Sequence, residues 1–249
     1  MKNSYESDGN GRFRLWTMVH SFCFLSIGTY MFFLKVPANA PWTASAVAAA
    51  AAAMGTCSFF ILMLLQGRPG LTIPNAVSLM RLAFTCTAVF LLSSGRNGWG
   101  VFVIFAIAGI TDFFDGLAAR RLGSTTFGAK LDMELDAFFI FMLAIAATVY
   151  YNQKQLILVA GLLRYAYVFL LLLLPDAGDM HPLFRFLSKG ACALAEILLI
   201  IITAPLIGAA ARNIASLTVV CVLCASFLLD AVLRILLKGG VASPQSATR

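Results

Sequence analysis

The sequence predicts an all-α polytopic membrane protein with about eight transmembrane helices. Hydrophobic residues make up 61% of the 249-residue chain, charged residues make up 12%, and the mean hydropathy is +0.90. A water-soluble domain carries about twice this fraction of charge. The apolar residues also gather into runs of about 20 residues, which is the length that an α-helix needs to cross a bilayer.

The first four apolar runs cover residues 15–34, 43–65, 76–92 and 100–119. The first follows a basic N-terminal segment and ends before Pro37 and Pro41. The second contains the alanine run 46–53, which suits close helix packing in lipid, and ends at the polar segment 66–70. The third is separated from the fourth by Arg96-Asn97-Gly98, a set of residues typical of a turn.

The last four runs cover residues 132–150, 156–174, 187–207 and 214–237. Their connections are the polar segment 152–155, the segment 175–182 with a proline at each end, and Arg212-Asn213. Polar, glycine and proline clusters of this kind mark chain reversals between helices. Eight helices and short connections leave no room for a sizeable soluble domain.

Basic residues predict the orientation, because loops rich in Lys and Arg stay in the cytoplasm. Thirteen of the 18 basic residues lie in the two terminal segments, in the even-numbered connections, or at the starts of the helices that follow these connections. Four lie in the odd-numbered connections. Both termini and the 120–131 connection are therefore expected in the cytoplasm. Six cysteines lie within apolar runs, which favours packing over zinc binding: Cys23, Cys57, Cys86, Cys192, Cys221 and Cys224.

Five of the 11 acidic residues fall between positions 112 and 136. Asp112 and Asp115 are three residues apart, and Asp132 and Asp136 are four apart, so each pair lies on one face of its helix. We expect these four carboxylates to meet between two consecutive helices at the cytoplasmic surface. Glu134 lies about 200° around its helix from either neighbour and is expected to point elsewhere.

Four carboxylates at close quarters need positive charge to remain ionised. Two divalent cations would neutralise them, and ligands that are all oxygen favour Mg²⁺ or Mn²⁺ over zinc. The predicted metal ligands are Asp112, Asp115, Asp132 and Asp136, in a site of the kind that stabilises charge during phosphoryl transfer. A divalent-cation transporter is the alternative function, but transporter acids are expected near the middle of the bilayer.

Eight residues with this spacing form a longer pattern: Asp112, Asp115, Gly116, Ala119, Arg120, Gly128, Asp132 and Asp136. The pattern resembles the signature of the CDP-alcohol phosphotransferase (CDP-alcohol phosphatidyltransferase) family. The segment Ile73-Pro74-Asn75-Ala-Val-Ser78-Leu-Met-Arg81 is similar to the start of that family's first core helix. The resemblance covers roughly residues 72–237, and it implies a six-helix core preceded by two extra helices.

The chain is accordingly divided into an N-terminal extension with two helices (1–70), a six-helix catalytic membrane domain (71–238) and a cytoplasmic tail (239–249). The resemblance implies phospholipid biosynthesis, in which a phosphatidyl group passes from CDP-diacylglycerol to the hydroxyl of a small polar alcohol and CMP is released. It also implies a homodimer and a location in the bacterial inner or plasma membrane.

The resemblance assigns roles to single residues as well. The first three acids hold two metal ions, and Asp136 contacts metal and accepts the proton of the hydroxyl. The implied nucleotide-binding residues are Asn75, Gly116, Ala119, Arg120 and Gly128, among which the small residues leave room for cytidine. For Arg120, phosphate binding and anchoring of the helix end are both open.

Two basic residues near the same depth and two at the mouth of the following helix are candidates for binding the acceptor: Arg81 and Arg164, with Arg185 and Lys189. Guanidinium suits phosphate because it offers paired donors in one plane. The expected acceptor is glycerol 3-phosphate, with inositol phosphate or another polyol as the alternative. Arg164 could instead form a structural ion pair with Glu196 or Asp230. Phosphatidylglycerophosphate synthases usually have a proline after the third acid, where this chain has Met133.

Overall fold

The computed structural model describes residues 2–33, 41–65, 73–96, 98–122, 126–173 and 182–240. These residues form eight α-helices, a 3₁₀ turn Gln155–Ile157 and no strand: α1 Lys2–Phe33, α2 Pro41–Leu65, α3 Ile73–Ser93, α4 Trp99–Leu122, α5 Thr126–Tyr150, α6 Leu158–Leu173, α7 Pro182–Ile202 and α8 Ala209–Gly240. The predicted fold class is therefore confirmed, with one helix for each predicted apolar run.

Several helix boundaries differ clearly from the predicted ones. Helix α1 begins at Lys2, because the polar residues before position 15 continue the same helix. Helix α7 ends at Ile202, five residues before the predicted end at 207. Pro205 accounts for the early end, since the residue before a proline is driven out of the α conformation.

The outer surface of the helices is apolar. Five helices contain stretches long and apolar enough to cross a membrane, Gly11–Phe33, Ser45–Leu64, Asn75–Ser93, Phe127–Tyr150 and Ala209–Leu233, and shorter apolar helices cover Trp99–Asp112 and Gln155–Leu170. Large side chains such as Phe33, Phe90 and Ile214 face outward and are exposed. An apolar exterior of this kind suits lipid and not water, and the chain is an integral membrane protein.

Helix α5 lies at the centre of the bundle. It contacts α2, α3, α6 and α7, and each residue from 137 to 147 is buried. A helix that is apolar all round is expected where neighbours cover every face. The two carboxylates that α5 carries before this apolar part, Asp132 and Asp136, are therefore held on the most enclosed helix of the protein.

Helices α1 and α2 pack against this central part of the bundle. An aromatic cluster connects them to α5 and α6, and its members are Trp16, His20, Phe24, Phe59, Phe138, Phe141 and Tyr165. The Phe24 and Tyr165 rings stack with centroids 5.2 Å apart. Contacts of this kind add about 0.5–1.5 kcal/mol each beyond the burial of area, so the two extra helices are integrated into the bundle.

Candidate active site

Three of the predicted metal ligands meet around one buried arginine. Arg81 on α3 is only 1% exposed, and its Nη2 atom lies 2.6 Å from Oδ1 of Asp112 and 3.5 Å from Oδ1 of Asp132. Its Nη1 atom donates to Oδ1 of Asp136. One guanidinium thus connects carboxylates of α4 and α5, and its charge offsets part of their mutual repulsion.

The positions of these residues along their helices follow from the packing of α3. This helix contacts both α4 and α5. Arg81 lies eight residues after the start of α3, Asp112 lies ten residues before the end of α4, and Asp132 lies six residues after the start of α5. Arg81, Asp112 and Asp132 thus lie nearer to the start of α3, the end of α4 and the start of α5 than to the opposite ends of these helices.

The carboxylates themselves remain accessible above the buried arginine. The side chains of Asp112, Asp132 and Asp136 are 36%, 37% and 37% exposed. One oxygen from each lies within 4.8 Å of the others. Two oxygens bound to one Mg²⁺ ion are at most about 4.2 Å apart, because each bond is about 2.1 Å long. The three aspartates fit a shared hard divalent cation after small side-chain adjustments.

The other predicted site residues are described to different extents. The backbone of Asp115, Gly116, Ala119 and Arg120 belongs to α4, but their side chains, like that of Arg185 on α7, lie outside the described residues. Asn75 is buried near the start of α3, Gly128 lies half-buried on α5, and Lys189 is exposed on α7. Their assigned roles in nucleotide or acceptor binding stay predictions.

Arg164 has an ion-pair partner that differs from the two considered from sequence. Its Nη2 atom lies 3.2 Å from Oε1 of Glu134, which is 1% exposed, whereas the Arg164 side chain is 21% exposed. Glu134 does point away from the aspartates, as its helical position predicts, and it meets α6. The sequence predicts Glu196 or Asp230 as the partner of Arg164 from their similar depth in the membrane. The partner is Glu134 because its side chain points from α5 toward α6.

Glu196 on α7 lies against α4, where a Cβ atom at Gly109 would be 3.1 Å from its Oε1 atom. It is 8% exposed and interacts electrostatically with Asp112, Asp136, Arg81 and Asp132. From sequence this residue was noticed only because it shares their depth in the membrane. Helix α7 packs against α4 and α5, the two helices that carry the aspartates.

Fold and site together define a class of protein: an integral membrane protein whose helix bundle holds a carboxylate cluster fit for a divalent cation. Comparison with known sequences gives the family. A model of the CDP-alcohol phosphatidyltransferase family matches residues 71–229. This chain belongs to that family, and the match begins two residues before α3.

Curated relatives match shorter parts of the chain. A Mycobacterium tuberculosis protein named "Putative cardiolipin synthase" is 42% identical over 72 residues, which are 28% of this chain and 34% of the relative, and a Mycobacterium bovis protein of the same name matches equally. A Wigglesworthia glossinidia brevipalpis protein named "CDP-diacylglycerol–glycerol-3-phosphate 3-phosphatidyltransferase" is 35% identical over 86 residues, 33% of this chain and 47% of the relative. The chain thus spans between a third and a half of the relatives it matches. No solved structure matches it.

Proposed function

We propose that this protein transfers a phosphatidyl group from CDP-diacylglycerol to the hydroxyl of a small polar alcohol and releases CMP. The observation that carries the proposal is the convergence of three signature aspartates around Arg81, with their oxygens within 4.8 Å of one another. Membership of the family supports the same reaction class. The apolar exterior supports a lipid substrate, because acyl chains can stay in the bilayer while the headgroup enters the site.

Asp112, Asp115, Asp132 and Asp136 would hold two Mg²⁺ or Mn²⁺ ions, which when bound supply positive charge to the diphosphate. In the reaction the acceptor oxygen forms a bond with the β-phosphorus, and the bond from that phosphorus to the oxygen of CMP breaks. The acceptor proton passes to Asp136. Because Arg81 contacts Oδ1 of Asp136, we assign the proton to its Oδ2 atom.

We propose glycerol 3-phosphate as the acceptor, with inositol phosphate or another polyol as the alternative. Arg164 and Lys189 support a phosphorylated acceptor, since both are basic, Lys189 is exposed on α7, and the Arg164 side chain is 21% exposed on α6. One relative is named for glycerol 3-phosphate and two are named for cardiolipin synthesis. Phosphatidylglycerol therefore belongs among the acceptors to be tested.

The test is to incubate purified protein with CDP-diacylglycerol, Mn²⁺ or Mg²⁺ and single acceptors: glycerol 3-phosphate, inositol phosphate, inositol, glycerol, serine and phosphatidylglycerol. We expect CMP release and a new phospholipid with at least one of them, and loss of both when the metal is chelated. Absence of CMP with every acceptor would refute the proposal.

Asp136→Asn identifies the proton acceptor. We expect it to lower turnover by about 10²–10⁴-fold, because an amide cannot take the hydroxyl proton, while CDP-diacylglycerol still binds. Asp8→Asn, the same substitution outside the residues matched by the family, is the control and should leave turnover unchanged. Normal CMP release by Asp136→Asn would exclude this role for Asp136.

A further inference from the structure

We infer that the ion pair between Glu134 and Arg164 positions the predicted metal ligands of α5. The pair sets the rotation of α5 about its own axis and thereby holds Asp132 and Asp136 toward Arg81 of α3. The inference rests on the proposed function for its purpose, but its claim concerns cation binding by the protein alone. This positioning role does not depend on acceptor binding by Arg164.

The first argument is the place of Glu134 on its helix. It lies two residues from Asp132 and two from Asp136, which puts it about 200° around α5 from each of them. An α-helix turns as one body, so a rotation of α5 that moved Glu134 would move both aspartates. All three residues precede the buried apolar part of the helix, 137–147. Contacts made by this first part of α5 therefore bear directly on where the carboxylates point.

The second argument is the geometry of the ion pair. Oε1 of Glu134 lies 3.2 Å from Nη2 of Arg164, and the Glu134 side chain is 1% exposed. Within the described part of the chain, Oε2 of Glu134 and Nε of Arg164 are buried without a hydrogen-bond partner. Nε and Nη2 form one edge of the guanidinium, and such an edge can meet both oxygens of one carboxylate. A small side-chain adjustment completes a bidentate pair, which fixes direction as well as distance.

The third argument is that α6 gives the ion pair a fixed base. A Cβ atom at Gly161 would lie 2.8 Å from Cα of Phe141, so α5 and α6 approach each other closely there. A Cβ atom at Gly28 on α1 would lie 2.3 Å from Cδ2 of Leu162. Arg164 follows Gly161 by three residues and lies on the same face of α6. Because α1 and α5 leave no free space at these points, Arg164 projects from a helix that cannot readily shift.

The fourth argument is the contact on the opposite face of α5. Arg81 of α3 donates to Oδ1 of Asp136, and its Nη2 atom lies 3.5 Å from Oδ1 of Asp132. Two arginines from different helices therefore hold the same part of α5, one through the aspartates and one through Glu134. Loss of the Arg164 contact would free this part of the helix to turn and would spoil the arrangement of the two carboxylates.

The test is Mn²⁺ binding to the purified full-length protein without lipid substrate, measured by electron paramagnetic resonance of free Mn²⁺. Arg164→Lys keeps the positive charge but loses the planar fork, and Arg164→Gln loses both. We expect Arg164→Gln to raise the Mn²⁺ dissociation constant by about tenfold or more, the effect of losing a group that supports metal ligands. Arg164→Lys should raise it by a smaller factor.

The direction of the change separates positioning from simple charge. Removal of a positive charge near a cation site favours the cation, so charge alone predicts tighter Mn²⁺ binding by Arg164→Gln and no change for Arg164→Lys. A role of Arg164 confined to acceptor binding predicts no change in either variant. Mn²⁺ binding by either folded variant that is as tight as in the natural protein, or absence of Mn²⁺ binding by the natural protein, would overturn the inference.

Arg212→Gln is the matched control. Arg212 is also partly buried, and its Nε atom likewise has no partner among the described residues, but it lies near the start of α8. This variant should leave Mn²⁺ affinity close to that of the natural protein. Weakening equal to that of Arg164→Gln would contradict a specific role for the pair.

A double variant keeps the inference testable if the single Arg164 variants do not fold. Glu134→Leu combined with Arg164→Met replaces the pair by apolar residues, a change that buried ion pairs often tolerate. The summed charge of the two positions stays the same, so charge alone predicts unchanged Mn²⁺ affinity. We expect a dissociation constant raised by about tenfold, because the fork between α5 and α6 is lost. Unchanged affinity in this folded double variant would overturn the inference.

The outcome is distinguishable from failure of the proposed function. If Mn²⁺ binding depends on Arg164 but no acceptor yields CMP, the positioning role stands and the transferase proposal fails. If CMP is released and Mn²⁺ affinity does not depend on Arg164, the transferase proposal stands and this inference fails.

Discussion

At the scale of single residues, Arg81 organises the candidate site. Sequence suggested that it binds the acceptor, and that role stays a prediction. The geometry adds a second role, because its guanidinium contacts Asp112, Asp132 and Asp136 from a position that is 1% exposed. A planar guanidinium can donate in several fixed directions, whereas a lysine ammonium acts as a point charge. The arginine therefore holds three carboxylates in a defined arrangement.

Arg81→Lys separates the two roles. If Arg81 holds the aspartates in place, we expect kcat to fall by about 10–100-fold and the Mn²⁺ requirement to rise, while the KM for the acceptor changes little. The measurement is steady-state CMP release at varied Mn²⁺ and varied acceptor. Arg96→Lys is the matched control, because Arg96 is exposed in the connection between α3 and α4. A higher acceptor KM with unchanged kcat would instead assign Arg81 to acceptor binding.

At the scale of elements, α1 and α2 brace the helix that carries two of the aspartates. Gly55 on α2 packs directly against Phe138, which lies two residues after Asp136 on α5. A Cβ atom at position 55 would lie 2.2 Å from Cε2 of Phe138, and the Phe138 ring is fixed by Phe24 and Phe59. Tight cores of this kind cannot absorb an added methyl group without strain.

Gly55→Ala should therefore destabilise the protein by about 1–3 kcal/mol through overpacking. Gly11→Ala on α1 is the control, because a Cβ atom there meets nothing within 4 Å. That control should be neutral or stabilise by up to about 1 kcal/mol, since alanine favours a helix over glycine. Thermal unfolding midpoints in detergent measure both variants, and equal midpoints would argue against close packing of α2 on α5.

At the scale of the whole molecule, the distribution of basic residues predicts how the bundle is oriented. The 120–131 connection beside the aspartates and both termini are expected in the cytoplasm. This orientation would open the site to the compartment that holds water-soluble acceptors and receives CMP. The connection between α3 and α4 is expected on the opposite side of the membrane.

Single cysteines in a background without the six natural ones test the orientation. We expect Ser94→Cys, in the exposed connection after α3, to react with a membrane-impermeant maleimide in intact cells. Ser243→Cys, in the C-terminal segment, should react only after the membrane is permeabilised. The reverse labelling pattern would place the site on the other side of the membrane.

Sequence alone was sufficient for the architecture and for part of the site. Helix number and approximate bounds follow from apolar runs, because a helix in lipid satisfies its own backbone and is limited in length by the bilayer. The placement of Asp132 and Asp136 on one face of α5 was likewise predictable, since residues four apart share a helix face. The predicted end of α7 at residue 207 is wrong because Pro205 acts locally within an otherwise apolar run.

Only the tertiary structure decided which side chains meet across helices. The position of Arg81 among the aspartates depends on α3 contacting both α4 and α5, and the pairing of Arg164 with Glu134 depends on how α5 is rotated toward α6. The approach of Glu196 depends on the space beside Gly109. Sequence periodicity gives the face of a helix but not the neighbour that it meets, because the neighbour is set by the packing of distant segments.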